Sequence, residues 1–549
     1  MGSNRKSLFR GWLTAVCVAA GVCATALIPP AEVFGVKLHR TNILSCLSHF
    51  ESDERDNVVE YEADMERLEE QIAMIESTQA VPAAAADSVA ADPVTISYEW
   101  RTDDFSPVRS ARRPSSEELR PSADAAIVPI EDFDTLPQSR FDRFVERLVA
   151  GEPVRIAFMG DSFVEGDILT VDLRHELQTL FGGRGVGFVA CDIPFATSRK
   201  SIKRRSTGWS SYSIMKPKAA PESLRDKFFV SGYMAEGGAG ASTRWEPTEP
   251  YPTLAGATTA RVLLLSRDDS RVELTLNDTL SRTFDISGDE ALRQIVVESA
   301  PYRSIAVKVL EGRVICYGVT LGSDDGVGVD NFSVRSNNGH AIFGASPVIN
   351  RQADALSGGY DLVVLQYGLN IMQASQRNYS KYRDQLRDMI SYAERCFPSA
   401  AILVMGVSDR CVKNDDGIYV PIGSADALSA YQRAAADSCH VAFWNTYEAM
   451  RSMGGMKGFV ANKWAAGDYT HINYGGGRAV ARALMLPLRE MAADKMAVRE
   501  RAEQAERRRQ MQIEEERRQR EEQMQQRLSV IRNMVDSLAG DTLTFHKEE

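Results

Sequence analysis

Arg155-Ile156-Ala157-Phe158-Met159-Gly160-Asp161-Ser162-Phe163 reads as a buried strand that stops at a glycine and meets a serine two residues later. The stretch Asp167 to Leu177 then has the spacing of an amphipathic helix. Ser162 therefore stands where a strand of an open sheet gives way to a helix. Ligands bind at that end of a parallel strand, and N–H groups at a helix start can stabilise an oxyanion. Taken alone, the stretch fits equally well a plain helix cap made by Asp161-Ser162.

Working outward, the same pattern recurs downstream. Leu362–Gln366, Ala401–Met405 and Val441–Trp444 are short continuous apolar runs, and Tyr379–Cys396, Ala425–Ser438 and Gly475–Ala492 have helical spacing between or after them. Val314–Val319 reads as a further strand of this series, and Phe133–Leu148 as a helix leading into the first strand. Short apolar strands alternating with helices predict a parallel sheet covered on both faces. Phe181 to Phe188 is glycine-rich without phosphate-loop spacing, and is read as a turn. From about 195 to 310 the pattern changes to short alternating β runs separated by turn residues, such as Val272–Leu276 and Ile305–Val309. This predicts an antiparallel β-sandwich inserted into the α/β fold. Its aromatics Trp209, Tyr212, Trp245 and Tyr251 suit either stacking on sugar rings or ordinary core packing.

A second chemical signal lies at Gly467-Asp468-Tyr469-Thr470-His471-Ile472-Asn473. Serine needs a positioned base to act as a nucleophile. A histidine supplies it, and an aspartate fixes the tautomer and stabilises the imidazolium. Asp468 and His471, three residues apart, can supply both from one loop.

Gly160-Asp161-Ser162 near the start of the α/β region and Asp468-x-x-His471 near its end resemble the first and last blocks of the SGNH (GDSL) hydrolase superfamily. The resemblance covers roughly residues 130 to 492 and implies a flavodoxin-like α/β/α three-layer sandwich with a parallel sheet. It also implies a serine esterase with Ser162, Asp468 and His471 as catalytic residues. The family's third block matches Gly368-Leu369-Asn370, whose asparagine would donate to the oxyanion. The second block resembles the Asp-Asn-x-Gly-x-x-Gly stretch of peptidoglycan O-acetylesterases, at Asp330-Asn331 through Gly339. Ser336 stands where the relatives have the donor glycine, so the oxyanion hole is expected from Ser162, Ser336 and Asn370, with Gly339 as the alternative backbone donor. The inserted sandwich resembles the carbohydrate-binding-like module of those esterases.

The expected domains are a signal peptide or N-terminal membrane anchor at 1–30 and a mostly disordered stalk at 31–130. The hydrolase domain follows in two parts, 131–194 and 313–492, around the inserted sandwich at 195–312. A charged helical tail at 493–549 completes the chain. The tail is rich in Arg, Glu and Gln without heptads, so a solvated single helix is favoured over a coiled coil. Leu528, Ile531, Val535 and Leu538 form an apolar stripe suited to a protein partner.

At 549 residues several domains are expected, and a net charge of −11 argues against nucleic acid as partner. Arg5, Lys6 and Arg10 precede an uncharged run from Gly11 to Ile28, so the body is expected to be exported to the periplasm or cell envelope. The eight cysteines show no metal-like spacing and no pairing can be read from them. Cys316 and Cys396 read as buried strand or helix-end residues, and the histidines outside the motif are scattered. No metal or cofactor is expected. Three functions fit: removal of O-acetyl groups from an envelope glycan, O-acetyl transfer at the same site, or non-catalytic envelope binding as a scaffold.

Overall fold

The computed structural model describes residues 31–33, 36–38, 95–106, 110–194, 199–248 and 251–544. The chain divides into two compact units, residues 1–89 and 90–549. In the first, Ala31–Val33 and Val36–Leu38 pair as antiparallel strands. The expected leader or anchor at 1–30 lies outside the described residues. Among the described residues no helix is long and apolar enough to cross a membrane.

The second unit is built on a six-stranded sheet. Its strands are β1 (Ile130–Asp132), β2 (Val154–Gly160), β3 (Val327–Asn331), β4 (Leu362–Gln366), β5 (Ala401–Met405) and β6 (Ala442–Trp444). The spatial order is β3-β2-β4-β5-β6-β1. The first five are parallel, and β1 closes the edge antiparallel to β6. Chain order reverses direction between β2 and β4, so the crevice beyond their carboxyl ends is the topological switch point of the sheet.

Eight helices accompany the sheet: α1 (Arg140–Ala150), α2 (Thr170–Phe181), α3 (Pro347–Ser357), α4 (Ser380–Cys396), α5 (Ala425–Ser438), α6 (Thr446–Ser452), α7 (Gly455–Ala461) and α8 (Tyr474–Thr544). Alternation along the strands decides which helix meets which face. Ile156 and Phe158 join the core of α1, α2 and the start of α8, whereas Ala157 and Met159 join that of α3, α4 and α5. Burying each large apolar side chain of this kind contributes about 1.5–3 kcal/mol. Helix α1 shows the local logic. Ser139 caps it by accepting from Asp142 N–H (2.8 Å), and Gly151 ends it with a left-handed φ of 70°.

The inserted region forms, but as one continuous hydrogen-bonded network of ten strands. The long strand Tyr233–Pro247 pairs near its start with Arg313–Cys316 and further on with Ile305–Lys308. Gly237 and Gly238 end the first pairing, and Gly240, with φ 92°, lies between the two. One strand thus turns from one neighbour to the other and joins the halves that the sequence suggested as two sheets.

Three expected boundaries change. Arg313–Gly322, which contains Val314–Val319, pairs antiparallel with Thr259–Ser266 and belongs to the inserted sheet, not the parallel one. Gly187–Ala190, upstream of the expected insertion, pairs with the same strand. The stalk expected at 31–130 is ordered from 95 onward wherever it is described: Ile96–Arg101 adds a parallel strand beside Leu292–Glu298, and Ser116–Leu119 is a short helix whose Leu119 is fully buried. Polar composition concealed these segments because each buries only an occasional side chain while its backbone is paired. At the other end the expected helix and tail are one helix, α8. It packs on the body through Met496 and is exposed from Arg501 to Ser537. Along that arm, Glu514–Arg517 (2.7 Å) and Glu515–Arg518 (3.0 Å) form ion pairs of helical spacing.

Candidate active site

The turn after β2 is tight. Asp161 Oδ1 accepts from Phe163 N–H (2.9 Å), and the Asp161 carbonyl accepts from Val164 and Glu165. The turn is therefore capped by Asp161, not by Ser162. Ser162 Oγ is buried and has no hydrogen-bond partner. A hydroxyl left unbonded in a polar turn is available for chemistry. Helix α2 begins only at Thr170, after a short 3-10 turn at Glu165–Asp167. Gly160 is needed here because a Cβ would lie 2.8 Å from the Val164 side chain.

His471 Nδ1–H donates to Asp468 Oδ2 (2.6 Å), the tautomer that has its ring lone pair on Nε2. Asp468 Oδ1 accepts from the backbone N–H groups of Thr470 and His471. Burial works against the charge of Asp468, but these bonds outweigh it and hold the carboxyl below its ordinary value. The loop is itself clamped. Tyr469 has a left-handed φ of 56°, its ring stacks on Tyr419 at 4.0 Å, and its carbonyl accepts from Cys411 N–H.

The start of α8 carries this loop to the serine turn. Tyr474 Oη donates to the Gly166 carbonyl (2.7 Å), and Gly477 lies so close to Ile168 that a Cβ would fall 1.8 Å from its carbonyl oxygen. The helix start that follows the Asp/His loop thus packs against the segment that follows the serine turn. Because Ser162 Oγ is unbonded, the serine–histidine hydrogen bond is not formed in this geometry, as is common before substrate enters.

Asn370, after β4, reaches across the switch point. Its Nδ2 donates to Asp161 Oδ2 (3.2 Å) and to the Asn337 carbonyl (3.0 Å). Ser336 is buried with a left-handed φ of 60°, a conformation that glycine adopts without strain. The substitution at this position is thus accommodated without change of backbone class. Gly339 N–H, the expected alternative donor, is bound to Asn337 Oδ1 (2.8 Å), because the Asn337 side chain closes the turn. It is not positioned to serve.

Sequence reasoning missed two residues of this region. Asp161 is fully buried, and burial pushes its carboxyl up to about 7. Asp167 is also fully buried. It binds Arg174 (3.2 Å), Arg199 (2.6 Å), Thr170 Oγ1 (2.7 Å) and Asn331 Nδ2 (3.1 Å). Burial opposes its charge, yet the two guanidiniums hold it well below the usual carboxylate range. The network ties the first block to the second. An arginine on the buried face of α2 was the available signal.

Other candidates fall away. Trp245 is fully buried and donates to the Ala190 carbonyl. Tyr251 stacks on His175 at 4.1 Å and bonds Asp172, and Trp209 packs on Gly237. His340 packs edge-on against Phe343. Cys316 is a buried strand residue and Cys396 ends α4, as expected. Cys191, Cys316, Cys396, Cys411 and Cys439 are free thiols. Among the described residues no group of three or more metal-ligating side chains is assembled.

No family model matches the chain, and no curated protein matches it. A solved structure of a peptidoglycan O-acetylesterase aligns over 66% of this chain and 99% of its own, at 21% identity and a TM-score of 0.54. The chain has the fold of that esterase. A family two carbohydrate esterase from Cellvibrio japonicus aligns over 54% of this chain and 99% of its own, at 9% identity and a TM-score of 0.23. An acetyl xylan esterase aligns over 29% of this chain and 79% of its own, at 19% identity and a TM-score of 0.23.

Proposed function

We propose that the protein is a serine esterase of the SGNH type that removes O-acetyl groups from a cell-envelope carbohydrate, with peptidoglycan as the substrate. In this reading the helix-covered sheet is the family's three-layer sandwich and the inserted β region its carbohydrate-binding-like module. Residues 1–30 carry the body to the envelope, and the stripe at Leu528, Ile531 and Val535 is a surface for a protein partner. The observation that carries the reading is the Asp468–His471 pair (2.6 Å), held against the turn that bears an unbonded Ser162 hydroxyl.

Ser162 Oγ attacks the acetyl carbonyl and His471 Nε2 takes its proton. Asp468 stabilises the imidazolium without accepting the proton. The N–H groups of Ser162 and Ser336 and the Asn370 amide receive the oxyanion. Asn370 Nδ2 has both hydrogens engaged, so the oxyanion replaces the longer bond, that to Asp161 at 3.2 Å. His471 then gives that proton to the sugar oxygen as its bond to the acetyl carbon breaks, and water activated by the same histidine hydrolyses the acetyl-enzyme.

The test is acetate release by the full chain from p-nitrophenyl acetate and from O-acetylated peptidoglycan. Ser162→Ala should lower it by at least about 1,000-fold with an unchanged circular dichroism spectrum. Turnover that survives the substitution would overturn the assignment. Acetyl transfer to an added glycan without acetate release would identify a transferase.

A further inference from the structure

A half-open cavity of about 140 Å³ lies where the serine turn meets the inserted sheet. Glu165 and Ser333, from the first and second blocks, line one side, and Arg204, Ser231 and Tyr233 line the other. It begins three residues after Ser162 and ends three before Ser336, so a ligand in it would neighbour the proposed oxyanion hole. The Asp468–His471 chemistry makes no use of it.

Its polar groups are of two kinds. Most are already engaged. Arg199, also in the wall, gives its guanidinium to Asp167 and to the carbonyls of Val186 and Phe188. Glu165 Oε2 holds Arg335 (2.7 Å). Two groups are not engaged in this way. Arg204 has one long hydrogen bond, Nη1–H to the Ala190 carbonyl at 3.5 Å, and among the described residues no carboxylate lies within 4.0 Å of it. The nearby Asp192 has one oxygen taken by Ser206 and the other by Ser211. Glu165 Oε1 is buried and accepts no hydrogen bond.

We infer that this cavity is a subsite for a carboxylate group carried by the glycan substrate, with Arg204 as the residue that selects it. The inference rests on the esterase reading given above. A guanidinium with its fork unoccupied matches a carboxylate in two parallel hydrogen bonds. Ser333 Oγ–H donates to Asn331 Oδ1 and Ser231 Oγ–H to the Tyr233 carbonyl, so either hydroxyl oxygen can act as an acceptor. The charged residues that line the cavity are Glu165 and Asp167 against Arg199 and Arg204; Asp167 is paired with Arg199 and Glu165 with Arg335, so Arg204 is the lining cation that has no ion pair among the described residues. Burial also lowers the basicity of Arg204, so an anion that reaches it gains more than it would at the surface.

Binding to the full chain, measured by calorimetry in the Ser162→Ala background, tests this without turnover. The probes are trigalacturonate, which is acidic, and xylotriose, which is neutral. Trigalacturonate should bind at least about tenfold tighter, with an affinity that falls as salt is raised. Arg204→Gln should weaken trigalacturonate by about 10- to 100-fold and xylotriose by far less, and Arg204→Lys should recover part of the loss. Equal affinity for the two sugars, or an Arg204→Gln effect common to both, would overturn the inference. Acetate release from p-nitrophenyl acetate by the unsubstituted chain is measured alongside. Its absence would refute the esterase reading, while loss of acidic selectivity with the small ester still hydrolysed would refute only the subsite. If Arg204→Gln lowers the melting temperature, Arg204→Lys and the salt series on the parent protein decide.

Discussion

Replacing Asp161 with asparagine should change the pH dependence of stability by an amount the structure sets. Asp161 is fully buried, with Phe163 N–H on one oxygen and Asn370 Nδ2 on the other. Burial and the neighbouring Glu165 push its carboxyl from an ordinary 3.8 up to about 7 in the folded protein, against the opposing effect of the Phe163 N–H. Within that window the folded chain keeps a proton that the unfolded chain has lost. Stability therefore falls as pH rises through the window, by about 1.4 kcal/mol per unit, and the full cost is present above the folded value. Summed from about pH 5 to about pH 8, the cost grows by about 2.5 kcal/mol. Asp161→Asn removes it. The weakened contact with Asn370 adds an offset independent of pH. The assay is urea unfolding of parent and variant across this range, followed by tryptophan fluorescence. The difference in unfolding free energy, variant minus parent, should rise by about 2.5 kcal/mol from the acid to the alkaline end. A difference that stays flat to within about 0.5 kcal/mol would show that Asp161 is ionised throughout and would refute the reasoning.

The remaining predictions concern the loops around Ser162. Ser336→Gly should stabilise the protein by up to about 1 kcal/mol by relieving the left-handed backbone at φ 60°, and under the proposed oxyanion role of its N–H acetate release should be retained. Melting temperature and kcat check it, and loss of activity would show that the Ser336 side chain takes part. Tyr419→Ala should lower kcat on p-nitrophenyl acetate by up to about tenfold by unstacking Tyr469, whereas Tyr419→Phe should keep the ring contact and the rate. Gly477→Ala should destabilise the fold by about 1–3 kcal/mol in urea titration, since its Cβ would fall 1.8 Å from the Ile168 carbonyl oxygen. Truncation after Ala505 should leave both acetate release and melting temperature within error, because the arm from Arg501 to Ser537 is exposed.

Much of the α/β half was legible in the chain. Leu362–Gln366, Ala401–Met405, Ala425–Ser438 and the termination of α4 at Cys396 stand where apolar runs and helical spacing put them. Strands buried on both faces write themselves as unbroken apolar runs, and such runs need no knowledge of their neighbours. The inserted region was legible as β-structure but not as to partner. Val314–Val319 has the same branched composition as a parallel strand, and nothing local distinguishes the two sheets. Ile96–Arg101 was not legible at all, since an edge strand paired on one side, with most of its side chains exposed or half-buried, looks like linker.

The site divides in the same way. Ser162, Asn370 and the Asp468–His471 pair could be named because motif spacing records chemistry directly, and the Asp468–His471 bond closes within one loop. What the sequence by itself determined was therefore local: strand and helix periods, the short-range Asp/His pairing, and the left-handed demand that made Ser336 conspicuous. Tertiary structure alone decided which turns meet. It excluded Gly339 by giving its N–H to Asn337, and it buried Asp161 behind Asn370. It also brought Arg174 and Arg199 onto Asp167, and left Arg204 without a carboxylate among the described residues. The reason is physical. Burial and through-space charge depend on residues hundreds of positions apart, and the free energies that shift a carboxyl or orient an amide arise only when the sheet assembles them.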